Sequence, residues 1–146
     1  MEFAIVHEAV AGLFPNPSIL PLPPSPSGVA GILPHAVSPR YVLDLHQVFG
    51  MGRAVARCTA IALHRYPAAL LVDSILDSVW IGESSLKPVR AMPRHTYRKY
   101  TNGVWRGRSR PCFLLDLGKL LEPAATIFSR SPGADLLVPH SAPRLP

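Results

Sequence analysis

The sequence predicts a mostly β protein made of two similar small units. Three observations point there. The apolar runs are short, rich in Val, Ile, Leu and aromatic residues, and separated by turn residues. Proline supplies 17 of the 146 residues and interrupts any long helix. The chain also repeats itself: Tyr41-Val42-Leu43-Asp44-Leu45-His46-Gln47-Val48-Phe49 resembles Phe113-Leu114-Leu115-Asp116-Leu117-Gly118-Lys119-Leu120-Leu121.

Taken in order, the expected strands are residues 3–6, 40–43, 56–63, 68–72, 79–81, 103–105 and 112–115. Residues 15–27 carry Pro15, Pro17, Pro21, Pro23, Pro24 and Pro26 and read as an extended surface loop. Proline lacks the backbone donor that a central strand uses. Helical signal is confined to two short segments, 44–49 and 116–121. Each opens on an Asp whose carboxylate can accept the unpaired N–H groups of a first helical turn. Residues 130–146, with proline, glycine and no period, read as a disordered tail.

The repeat extends upstream. Gly31-Ile32 stands as far before Asp44 as Gly103-Val104 stands before Asp116, and Ala4-Ile5-Val6 with Leu13-Phe14 parallels Leu70-Leu71-Val72 with Val79-Trp80. Each unit is thus expected to hold a strand, a loop, a strand near glycine, a strand ending at Leu-Asp, and a capped helical turn. Neither unit is large enough to bury much core alone, so the two are expected to pack on each other.

Composition narrows the function. The apolar fraction is 48% and the charged fraction 16%, below the usual quarter, so exposed apolar surface and hence partner sites are expected. Net charge is +6, and residues 87–110 contain Lys87, Arg90, Arg94, Arg98, Lys99, Arg106, Arg108 and Arg110 with no acidic residue. Cys58 and Cys112 lie in apolar runs and read as small buried hydrophobes rather than as a disulfide framework. The start of the chain lacks the pattern of a signal peptide, and no apolar run reaches the ~20 residues of a spanning helix. A cytoplasmic protein is expected.

Nothing in the sequence assembles a reaction centre. The six histidines, His7, His35, His46, His64, His95 and His140, have no metal-ligand spacing with Cys, Asp or Glu. Ser84-Ser85 lacks a nucleophile-elbow context. Gly50-Met51-Gly52 lacks the strand–helix setting of a dinucleotide loop. Asp44 and Asp116 occupy matched places in the repeat, which reads as capping rather than as a catalytic pair. Trp80 and Trp105 sit in strand-like runs, where core packing is the default and a partner-facing role the alternative. No enzyme, cofactor, metal or small-molecule substrate is expected.

The order and spacing of Leu70-Leu71-Val72-Asp73, Ile75, Val79, Gly103-Val104, Arg110 and Leu114-Leu115-Asp116-Leu117 resemble CheW-like domains. Val10, Leu13, Gly31 and Leu43-Asp44-Leu45 fit the same pattern in the first half. The resemblance implies two small SH3-like β-barrels packed side by side, over residues 1–129, with a first barrel near 1–55 and a second near 56–129. It implies a non-catalytic adaptor of bacterial chemosensory signalling, in chemotaxis or pilus-driven motility, whose partners are a CheA-type histidine kinase and a chemoreceptor or another CheW-like protein. The implied partner-binding residues are Val10, Leu13, Gly31 and Ile32. Three departures stand out. The family places one more strand ahead of residues 3–6, so the first barrel is expected to carry an open edge. An Asn-x-Arg-Gly turn of the family reads Pro34-His35-Ala36-Val37 here, and a common Glu reads Gly12.

A second reading comes from a different class. Small barrels can bind oligonucleotides through a basic face with interleaved aromatics. Tyr97, Arg98, Lys99, Tyr100, Trp105, Arg106 and Arg108 would form that face.

Overall fold

The computed structural model describes residues 2–23, 28–34, 39–52, 57–89 and 96–128. The expected tail at 130–146 and the Ala36 turn lie outside these residues. Ten strands are described: β1 (Glu2–Ala4), β2 (Val10–Pro15), β3 (Leu20–Pro21), β4 (Val29–Leu33), β5 (Arg40–Asp44), β6 (Thr59–Leu63), β7 (Ala68–Val72), β8 (Leu86–Lys87), β9 (Thr101–Trp105) and β10 (Cys112–Leu115). Three short helices join them: α1 (Leu45–Val48), α2 (Leu117–Leu121) and α3 (Ala125–Phe128). The protein is mostly β, with two sheets packed together, as the sequence predicts.

The repeat is a hairpin followed by a capped turn. β4 and β5 pair antiparallel, and β9 and β10 do the same. Each hairpin carries a register shift at the matched position, opposite Val42–Leu43 in one and between Leu114 and Leu115 in the other. Asp44 caps α1 by accepting from the His46 N–H at 3.0 Å, and Asp116 caps α2 by accepting from the Lys119 N–H at 3.1 Å. Satisfying otherwise unpaired donors in this way is worth about 1 kcal/mol per cap. The backbone N–H groups of the two aspartates are matched as well, donating to Gly28 O at 3.0 Å and to Tyr100 O at 2.7 Å.

The strands preceding these hairpins are exchanged. β7 runs parallel to β5, with Leu70 opposite Leu43, whereas β1 runs parallel to β10, with Phe3 opposite Phe113. The first strand of each repeat thus completes the sheet of the other. The result is a six-stranded sheet ordered β2-β6-β7-β5-β4-β3 and a four-stranded sheet ordered β1-β10-β9-β8. The expected division into two units lay near residue 55. In the sheets, β6 pairs with β2 and β7, β7 pairs with β5, and β1 pairs with β10; the two parallel pairs are joined by long connections, as parallel pairing requires. Among the described residues, β1 is the outermost strand of the four-stranded sheet.

Two apolar clusters lie on opposite faces of the six-stranded sheet. Tyr41, Leu43, Ala68 and Leu70 face the larger one, which also takes Tyr100, Leu115, Leu120, Leu121 and Ala124 from the other unit. Val42, Ala69 and Leu71 face the smaller one, with Leu33 and Ala60. β5 and β7 are therefore covered on both faces, which explains their continuous apolar runs. Phe14 at the end of β2 and Ile19 just before β3 both pack on the smaller cluster, so the two edges of the sheet curl over it as in a barrel.

Two expected elements differ. Residues 79–81 form no strand; Val79 is 41% exposed and Trp80 is 101% exposed, so the core reading of Trp80 is overturned. The proline-rich loop contributes β3, whose Pro21 sits on an edge strand, where a missing donor costs little.

Candidate partner-binding surface

Val10 and Leu13 lie on β2, an edge strand of the six-stranded sheet. Side chains alternate along it, with Val10, Gly12 and Phe14 half-buried and Ala11, Leu13 and Pro15 exposed. Leu13 is 49% exposed, although its Cα partner Ile61 is buried. Val10 packs at the margin of the larger cluster. Gly12 leaves room for the Phe14 ring, which would lie 3.3 Å from a Cβ added there. A side chain at this position would require that ring to give by a few tenths of an ångström.

Gly31 and Ile32 lie on β4, separated from β2 in the sheet by β6, β7 and β5. Gly31 sits under β3: an added Cβ would fall 2.1 Å from the Leu20 carbonyl oxygen and 2.8 Å from the Ile19 side chain. Ile32 is 1% exposed and belongs to the larger cluster. The structure thus divides the four residues. Leu13 and part of Val10 are accessible, Gly31 gives β3 close approach, and Ile32 supports the sheet from within. Sequence reading missed Leu20, which β3 holds 48% exposed. Its only signal was its place between Ile19 and Pro21.

A polar cluster closes one end of the sheet. Asp44 is buried and also accepts from Gln47 Nε2 at 3.3 Å. His46 Nε2 lies 3.0 Å from an Asp73 carboxylate oxygen, tying α1 to the end of β7. Burial, followed by the negative charges of Asp44 and Asp73, pushes the Cys58 thiol above its ordinary range. Burial and Glu2 push the Cys112 thiol the same way, against the opposing pull of Arg108. Among the described residues no three His, Cys, Asp or Glu side chains gather as metal ligands, and no helix is long and apolar enough to cross a membrane.

The aromatic–basic face is only partly assembled. Tyr100 is 8% exposed and packs in the larger cluster, with the Lys99 ammonium 4.9 Å from its ring centroid. Arg108 pairs with Asp77. Arg106 and Arg110 are exposed and Trp105 is half-buried. A buried Tyr100 has no open ring face on which a base could stack.

Two SH3-like barrels that share a core and display an apolar edge strand define a paired-barrel interaction module. The chain belongs to the CheW-like domain family, whose model matches residues 1–125. That family is one of non-catalytic scaffolds. Among solved structures, the chain is similar to the scaffolding protein TtCheW from Thermoanaerobacter tengcongensis, with 21% identity and a TM-score of 0.67. The match covers 82% of this chain and 79% of that one. No curated protein matches the chain.

Proposed function

We propose that this protein is a cytoplasmic adaptor of bacterial chemosensory signalling that joins a CheA-type histidine kinase to a chemoreceptor or to another CheW-like protein. Membership of the CheW-like domain family over residues 1–125 carries the reading. The protein acts by binding and by relaying a conformational shift, with no covalent step. Leu13 and the exposed part of Val10 supply apolar contact on β2. Gly31 and Ile32 act from behind, by fixing β3 and its exposed Leu20 against the sheet. A receptor tip would enter as a helix in a groove, with apolar anchors on one face.

Co-sedimentation tests the reading. Membranes bearing a chemoreceptor are mixed with a CheA-type kinase, with and without this protein. The adaptor reading expects the kinase to pellet only when the protein is present. Kinase recovery that ignores the protein would overturn it. The buried position of Tyr100 disfavours the nucleic-acid reading, which expects steeply salt-dependent binding to oligonucleotides instead.

A further inference from the structure

Away from β2, unburied apolar side chains concentrate in the connection between β7 and β8. Ile75 is 44% exposed, Leu76 62%, Val79 41% and Trp80 101%. Monomeric proteins seldom leave such a group in water, and a fully solvated indole among them marks a contact point. The connection is held in place, since Asp77 accepts a charged hydrogen bond from Arg108 in the turn between β9 and β10. That turn also carries Arg106 and Arg110, both exposed, and Lys87 is exposed on β8, opposite Val104. The start of β1 reaches the same end of the sheet, because Glu2 lies opposite Cys112.

We propose that this ledge docks a segment of another protein that carries apolar side chains together with carboxylates. Trp80 and Leu76 would be covered by the apolar residues, and Arg106 and Arg110 would pair with the acidic ones. Three other occupants fit less well. A second copy would bring the same cationic turn, on a chain of net charge +6, against itself. A bilayer would have to desolvate Asp73 and Asp77, whose side chains are 59% and 55% exposed among the ledge residues. A nucleic acid would leave the aliphatic side chains of Ile75, Leu76 and Val79 without an apolar partner. The ledge follows β7 and abuts the four-stranded sheet, so the inference stands independently of the adaptor reading built on Leu13.

A display library of short random peptides, panned against the full chain and counter-selected on Trp80→Ala, tests it. Trp80 is fully exposed, so the variant should keep its melting temperature. The expected winners combine Leu, Ile, Val or aromatic residues with Asp or Glu. Trp80→Ala should weaken the best of them by about thirtyfold, the loss typical of a hot-spot side chain. Arg106→Glu with Arg110→Glu should weaken it by about tenfold and remove its salt dependence. Failure to enrich any peptide over Trp80→Ala would overturn the proposal, as would winners rich in Lys and Arg. So would a Trp80-dependent dimer in sedimentation, or Trp80-dependent binding to phosphatidylserine–phosphatidylcholine vesicles or to an oligonucleotide.

Discussion

Phe3 and Phe49 stack with ring centroids 4.7 Å apart and planes inclined by 20°. Phe3 belongs to the strand that completes the four-stranded sheet, and Phe49 ends the capped turn of the other unit. Phe113 lies 6.1 Å from Phe3, and Tyr100 lies 6.0 Å from Phe49. These rings are the seam between the exchanged units. Phe49→Ala should cost about 3–5 kcal/mol, because it opens a cavity in a buried cluster. A double-mutant cycle with Phe3→Ala should return a coupling of about 0.5–1.5 kcal/mol. Additive losses in denaturant melts would show that the rings stabilise their own units separately.

Because β1 and β7 are exchanged, neither half of the chain contains a complete sheet. Residues 1–55 lack β6 and β7, and residues 56–146 lack β1. Each half expressed alone should show no cooperative melt, and mixing the two should restore one. A cooperative transition in either isolated half would contradict the exchanged topology.

The two repeat glycines differ in how tightly they are covered. An added Cβ at Gly31 would meet the Leu20 carbonyl oxygen at 2.1 Å, whereas one at Gly103 would meet the Lys87 carbonyl oxygen at 3.3 Å. Gly31→Ala should therefore push β3 off the sheet and cost about 1–3 kcal/mol, with Gly103→Ala costing less. Thermal melts check the order. Equal effects would mean that β3 yields freely.

Both thiols titrate above their usual range, so both should alkylate slowly near neutral pH, where the nucleophilic thiolate is scarce. Asp73→Asn removes one of the charges that raise Cys58, so it should speed alkylation there and leave Cys112 unchanged. Iodoacetamide labelling read by mass spectrometry separates the two sites. The sign for stability follows. The folded chain holds these protons longer than the unfolded chain, so their contribution is intact below the ordinary thiol range of about 8.5 and is lost as pH rises through the folded values. Unchanged Cys58 labelling in Asp73→Asn would contradict the electrostatic account.

The hairpin units were legible because their signals are local. Leu-Asp-Leu marks a strand end and its cap, and Gly31 and Gly103 mark where an edge strand crosses closely. The exchange of β1 and β7 was not legible, since parallel pairing between distant segments leaves no local pattern. β2 escaped as a strand because Ala11 and Gly12 interrupt its apolar alternation. Trp80 misled for the opposite reason: its apolar neighbours imitate a buried strand, and only the fold shows that nothing covers it. Of the candidate site, Leu13 is exposed on β2, whereas Ile32 is buried in a cluster that also takes residues from the far end of the chain.

Isothermal titration of a soluble chemoreceptor-tip fragment into the full chain tests the adaptor account most directly, when repeated with Leu13→Asp. Leu13 is half exposed, so the variant should keep the parent melting temperature. The account predicts saturable binding by the parent chain, weakened at least about thirtyfold in the variant, as for a charge placed in an apolar contact. Binding of equal strength by both, or by neither, would contradict the claim that β2 presents the receptor-coupling surface.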